Sequence, residues 1–266
     1  MTKTRITFIG GGNLTLAILS SLKSEVHKYD IRVIDNNNNR KKDIKKFKVR
    51  FSNELDNQIN ESAIIFLVTK PQNYTSVLAK LKSLITAKTT LASFMAGVRI
   101  KDIQKELSMK NTIIRLMTNI SISNNNSLIF YYINNRKYDV RKFSTIFTRQ
   151  NAVIRCKSES ELDKFTALYG SAPAYYLYFN EMMKNIYKKF GYSNKDAKLL
   201  SNNLFIETAR LLDSYKNNKD LIKMVASKGG TTEAALKYLS KSRFTIDLQK
   251  AVNEAVNKSK NITKIK

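Results

Sequence analysis

A short apolar run, Ile6–Ile9, stops at three consecutive glycines, Gly10-Gly11-Gly12, and the pattern behind them switches to helical spacing through Leu14, Ala17, Ile18 and Leu22. Strand, tight turn and helix follow one another with no room for a linker. The spacing Gly10-x-Gly12-x-x-Thr15 sets backbone amides and the positive end of a helix against a phosphate, and Gly12 lets a pyrophosphate approach the chain. The dinucleotide fingerprint asks for Gly or Ala at its third position, where this chain has Thr15. At this level a dinucleotide, another phosphate ligand and a purely structural turn all stay open.

Further strand-like runs follow at Ile31–Ile34, Ala63–Val68, Thr90–Phe94, Thr112–Leu116, Leu128–Ile133 and Ala152–Arg155. Helical patterns such as Thr75–Ile85 lie between them. Alternation of this kind predicts a Rossmann-like, doubly wound α/β domain over residues 1–157. From residue 158 to 266 the texture changes to helical periodicity, at Leu162–Phe190, Asn194–Tyr215, Leu221–Ser227, Glu233–Leu239 and Phe244–Lys258. An all-α second domain is expected there, and the stretch Lys258–Lys266 is expected to fray. Tyr175, Tyr176, Tyr178 and Phe179 beside Met182 and Met183 form a stripe that suits a core or a dimer seam.

Composition narrows the chemistry. The 266 residues include one His, His27, and one Cys, Cys156, too few for a Cys/His metal centre, a disulfide framework or a redox pair. No metal is expected, and any enzyme here leans on a cofactor, backbone amides, hydroxyls or carboxylates. The net charge of +26 would attract polyanions, but a chain rich in Lys, Asn and Ile and poor in Gly and Pro also has the bias of a coding sequence low in G and C. No apolar run approaches the roughly 18 residues of a membrane span, and no leader is visible, so a cytoplasmic protein without membrane or nucleic-acid partners is expected.

Asp35 closes the second strand where an acid would accept hydrogen bonds from an adenosine ribose, which favours NADH. Arg40, Lys41 and Lys42 follow closely enough to neutralise the 2′-phosphate of NADPH. Both cofactors remain candidates. Near the other end, Gly229-Gly230-Thr231-Thr232 precedes a helical pattern, so its amides are helix-start donors suited to a small carboxylate, or simply the cap of that helix.

Read together with the glycine turn, four segments resemble the pyrroline-5-carboxylate reductase family: Val68-Thr69-Lys70-Pro71-Gln72, Ser93-Phe94-Met95-Ala96-Gly97-Val98, Gly170-Ser171-Ala172-Pro173-Ala174-Tyr175, and Ser227-Lys228-Gly229-Gly230-Thr231-Thr232. The likeness runs from Phe8 to Leu236 and trails to about Lys260. It implies NADPH- or NADH-dependent reduction of the ring C=N bond of 1-pyrroline-5-carboxylate to L-proline. By that resemblance Gly10, Gly11, Gly12, Asn13 and Leu14 hold the pyrophosphate, and Asp35 and Asn36 lie near the adenosine ribose. Asn53 would stand at the adenine end, with Thr69, Lys70, Pro71 and Ala96 around the nicotinamide half. Gly229, Gly230, Thr231, Thr232 and Asn119 would line the substrate, the Thr232 hydroxyl serving as the catalytic hydrogen-bonding group at the ring nitrogen. An iminium carries its own electrophilic activation, so the scarcity of His and Cys is no obstacle.

The resemblance also implies an intertwined homodimer built on the helical domain, with the substrate loop of one subunit facing the nucleotide domain of its partner, or a higher assembly such as a decamer. Two of the motifs depart from the family pattern. Lys228 replaces the Pro of S-P-G-G-T-T, and Ile120-Ser121 replaces the Thr-Pro of M-x-N-T-P. These departures leave open a catalytically degenerate relative that binds polyanions. A β-hydroxyacid dehydrogenase-like enzyme is disfavoured, because the motif around that family's helix-borne Lys is not found.

Overall fold

The computed structural model describes residues 3–147, 151–215 and 217–262. It divides into two compact units, Met1–Ser171 with Ala255–Lys266, and Ala172–Glu254.

The first unit is built on strands β1 (Thr4–Ile9), β2 (Tyr29–Ile34), β3 (Arg50–Ser52), β4 (Ile64–Leu67), β5 (Thr90–Ser93), β6 (Ile113–Met117), β7 (Leu128–Ile133) and β8 (Ala152–Arg155). They form one sheet in the order β3-β2-β1-β4-β5-β6-β7-β8. The pairings from β3 to β6 are parallel, β7 runs antiparallel to β6, and β8 runs parallel to β7. The chain order reverses between β1 and β4, the switch point at which open α/β sheets leave a crevice for a ligand.

Helices α1 (Asn13–Ser21), α2 (Arg40–Lys45), α3 (Tyr74–Lys82), α4 (Ile100–Leu107), α5 (Arg141–Ser144) and α6 (Glu159–Phe165) surround the sheet. Alternate strand residues feed two separate cores. Ile6, Phe8, Ile64 and Phe66 pack with Ile18 and Leu19 of α1 and Phe143 of α5, while Ile9, Ile65, Leu67 and Leu91 pack with Leu78 and Leu81 of α3 and Ile103 and Leu107 of α4. Continuous apolar strands such as Ile64–Leu67 are the expected result of helices on both faces, each fully buried large side chain contributing about 1.5–3 kcal/mol. Phe8 stacks on Phe66 at 4.8 Å between centroids, and Phe147 meets Phe66 edge-on at 5.7 Å.

Helix α6 stays with the sheet although the sequence texture changes at residue 158. Arg115 of β6 is the reason. Its guanidinium donates to Glu159 Oε1 at 3.0 Å and to Asp163 Oδ1 at 2.8 Å, with side-chain exposures of 2% for Arg115 and 1% for Asp163. Arg99 reaches the other oxygen of Asp163 at 3.4 Å, and the Ile100 amide donates to Glu159 Oε1 at 3.0 Å.

The single helix expected over 162–190 is broken. After α6 a π-helical turn, Thr166–Gly170, precedes α7 (Ala172–Lys189). The interruption lets Tyr169 present its carbonyl to Asn119 Nδ2 at 3.0 Å and its hydroxyl to the Leu128 amide at 2.8 Å. Helices α8 (Asn194–Leu211), α9 (Asn218–Val225), α10 (Thr231–Lys241) and α11 (Phe244–Asn261) complete the chain. Helices α7, α9 and α10 bury no residue, and large apolar side chains such as Phe190 and Tyr238 stand 80% and 77% exposed. The frayed tail expected from Lys258 is also corrected: α11 continues to Asn261 and Ser259 is buried, residues 263–266 lying outside the described ones. Among the described residues no helix is long and apolar enough to cross a membrane.

Candidate functional site

The three glycines after β1 serve different ends. Gly10 has φ +107°, and a Cβ there would lie 2.6 Å from the Val68 carbonyl oxygen, so the turns after β1 and β4 touch only because this residue is bare. A Cβ on Gly11 would lie 2.7 Å from Ile44 Cδ1 and 3.2 Å from Asp35 Cβ. A Cβ on Gly12 would meet nothing within 4 Å. The chain's own packing therefore accounts for the first two glycines and not for the third, whose bare Cα borders open space at the start of α1. Gly12 caps α1 in extended conformation with no side-chain cap, and no acid stands in the first turn. Among the described residues the Asn13 and Leu14 amides have no acceptor, which leaves the positive helix end free for an anion. The donor set and the clearance both fit a dinucleotide pyrophosphate.

Thr15, the departure from the fingerprint, is fully buried and donates to the Gly10 carbonyl at 2.6 Å. Its hydroxyl is thus satisfied inside the turn. Asp35 is drawn inward too. One carboxylate oxygen accepts from the Gly11 amide at 2.5 Å, the other from the Asn37 amide at 2.8 Å. It secures the glycine turn before it offers anything to a ribose.

A cavity of about 560 Å³ opens at the switch point. Gly10, Asp35, Asn36, Asn53 and Thr69 line it, so the structure brings these expected residues together. Lys70 is exposed and caps the 3₁₀ turn Pro71–Asn73 with Pro71 at its first position, while Ala96 is half-buried against the cluster of Met117, Phe130, Cys156 and Leu162. Glu54, Asn73, Ser76 and Lys80 also line the cavity and escaped the sequence reading. Asn73, Ser76 and Lys80 repeat at i, i+3 and i+7, a polar stripe that was the available signal.

In the second unit, Gly229 has φ +74°, its amide donates to Glu233 Oε2 at 2.6 Å, and the Gly230 amide donates to the Ser227 carbonyl at 3.0 Å. The Gly230 N–H is thus committed to the turn. Gly230 caps α10 without a side-chain bond, and the Thr231 and Thr232 amides and hydroxyls have no partner among the described residues. Lys228 is exposed.

Asn119 is buried and spent on structure. Its Oδ1 accepts from the Ser121 amide at 2.9 Å while its Nδ2 holds Tyr169. A proline at position 121 could not make the first of these bonds, so Ser121 replaces the family's fixed ring with a hydrogen-bonded turn. Cys156 is buried, and burial first, then the Glu161 charge, pushes its thiol up to about 11, which leaves it inert.

Two family models match the chain: pyrroline-5-carboxylate reductase dimerisation over residues 159–262, and NADP oxidoreductase, coenzyme F420-dependent, over residues 5–97. A pyrroline-5-carboxylate reductase of Staphylococcus aureus (strain COL) is 27% identical over 98% of both chains. The structure of a pyrroline-5-carboxylate reductase from Coxiella burnetii is 28% identical, with a TM-score of 0.81 and 98% of both chains covered. A Plasmodium falciparum pyrroline carboxylate reductase, solved with NADP bound, shares the fold at 21% identity and a TM-score of 0.80, with 98% of both chains covered.

Proposed function

The chain belongs to the pyrroline-5-carboxylate reductase family, and from that premise we propose that it reduces 1-pyrroline-5-carboxylate to L-proline at the expense of NADPH or NADH, the last step of proline synthesis. The observation that carries this reading is Gly12, a bare Cα that no contact among the described residues requires, at the uncapped start of α1. The dinucleotide, when bound, supplies the hydride. The residues present bind and orient. The Asn13 and Leu14 amides face the pyrophosphate, and Asp35 fixes the turn that presents them. Arg40, at the start of α2 with Lys41 and Lys42, supplies the charge a 2′-phosphate needs at the ribose end, and we read this as a preference for NADPH.

At the start of α10 the Thr231 and Thr232 amides receive the substrate carboxylate. The Thr232 hydroxyl holds the ring nitrogen, and Gly230, its own amide occupied, serves by shaping the turn. Positioning supplies most of the acceleration, which fits a site with no His or Cys. The bare apolar faces of α7 to α10 point to a homodimer, or a higher assembly of dimers, and the protein is expected in the cytoplasm.

The test follows nicotinamide absorbance with pyrroline-5-carboxylate for the wild type and Thr232→Ala. The variant should lose about tenfold or more in kcat/KM, ~1.4 kcal/mol of transition-state stabilisation. An inactive wild type refutes the function, whereas an active wild type matched by the variant refutes only the role of Thr232.

A further inference from the structure

The turn Phe94–Val98 follows β5 and carries Ala96, one of the residues placed around the nicotinamide half. Its own hydrogen bonding is slight. Phe94 N–H donates to the Leu67 carbonyl at 2.9 Å, which ties the entry to β4, but the one backbone bond across the turn, Val98 N–H to the Met95 carbonyl, is 3.4 Å long. Packing must hold the rest. On one side Thr69 Oγ1 lies 3.5 Å from Met95 Sδ. On the other side stands the end of α11: a Cβ on Gly97, which has φ +70°, would lie 2.2 Å from the Ser259 carbonyl oxygen and 2.3 Å from Ile262 Cγ2. Such an approach needs a residue without a side chain in the turn. Ser259 is 4% exposed, between exposed Lys258 and Lys260, and its hydroxyl has no partner. A buried, unbonded hydroxyl is an unfavourable choice for stability alone.

We propose that the Ser259 carbonyl, near the end of α11, and the Ile262 side chain just beyond it are positioning groups for the nicotinamide half of the dinucleotide site, acting through Gly97 to fix the Phe94–Val98 turn and with it Ala96. The proposal rests on the dinucleotide reading given above. Small displacements at such a turn act on cofactor placement more than on carboxylate binding at α10, so the two Michaelis constants should separate.

The test uses full-length Ile262→Ala, a truncation after Lys260, and Lys258→Ala as an exposed control on the same helix. NADPH affinity is read from nicotinamide fluorescence, KM for dinucleotide and for pyrroline-5-carboxylate from initial rates, and amide hydrogen exchange at Ala96, Gly97 and Val98 without ligand. Ile262→Ala and the truncation should weaken NADPH by about tenfold and raise its KM alike, with the imine KM within about twofold of wild type. They should also speed exchange in the turn by about tenfold, and Lys258→Ala should do neither. A wild type that binds NADPH and an Ile262→Ala variant of unchanged affinity overturn the proposal alone, as does unchanged exchange in the turn. A wild type that binds neither NADPH nor NADH overturns the functional reading, and this proposal with it.

Discussion

Replacing Arg115 by Met should destabilise the first unit far more than an ordinary surface change. The guanidinium is almost wholly buried and donates to two carboxylates, of which Asp163 is as buried as Arg115 itself. Removing it leaves Asp163 with only the 3.4 Å contact to Arg99, and leaves Glu159 with the Ile100 amide. Breaking a buried pair from one side costs about 3–5 kcal/mol, because the remaining charge has lost its hydration without compensation. At roughly 2–4 °C per kcal/mol for a unit of this size, the midpoint of thermal unfolding should fall by about 6–20 °C. Circular dichroism melts at fixed protein concentration measure this, since an oligomer's midpoint depends on concentration. The double variant Arg115→Met/Asp163→Leu should recover much of the loss, the buried charge having gone with its partner. A single variant that costs under about 1 kcal/mol, or a double variant worse than the sum of the singles, would show that these groups are not desolvated together.

The other expectations concern the glycine turn and acid stability. Gly12→Ala should weaken NADPH by about tenfold or more, ~1.4 kcal/mol, while the thermal midpoint stays close to wild type, because φ is −71° and the added methyl meets only open space. Gly10→Ala should instead impair folding, since it places a methyl on the Val68 carbonyl at positive φ; equal behaviour of the two variants would contradict the division of labour described above. The hydrogen bond from Arg32 holds the Asp56 carboxyl below its ordinary value. A lowered folded-state value gives stability that is present above the unfolded value of about 3.9 and is lost as pH falls through the folded one. Denaturation midpoints of wild type should therefore drop more steeply below about pH 4 than those of Asp56→Asn, and parallel profiles would remove Asp56 from the acid transition.

Much of the architecture can be read from local pattern, and what cannot has identifiable physical causes. Ile64–Leu67 announces itself because burial on both faces demands a solid apolar run. Arg50–Ser52 has one apolar residue in three and becomes a strand only through its pairing with β2. Periodicity carries no direction, so the reversal at β7 is invisible in Leu128–Ile133. Arg115 stands inside an apolar run, and its partners lie 44 and 48 residues away on one face of a helix, a non-local match. At the site, the glycine spacing identifies the turn, but the inward commitment of Asp35, Asn119 and the Gly230 amide depends on atoms that only the folded backbone supplies.

The reversed strand pair sets the itinerary of the chain. Along β8 the polypeptide travels away from the rim that carries Gly10, and α6 with its π-helical continuation returns it, so that Gly170 comes to rest beside Met117 and Thr118 at the carboxyl end of β6. Arg115 grips that returning helix midway, as a bolt holds a stair rail. The point of departure toward the helical unit is thereby anchored on the same rim as the glycine turn, and loosening one guanidinium would let that exit wander.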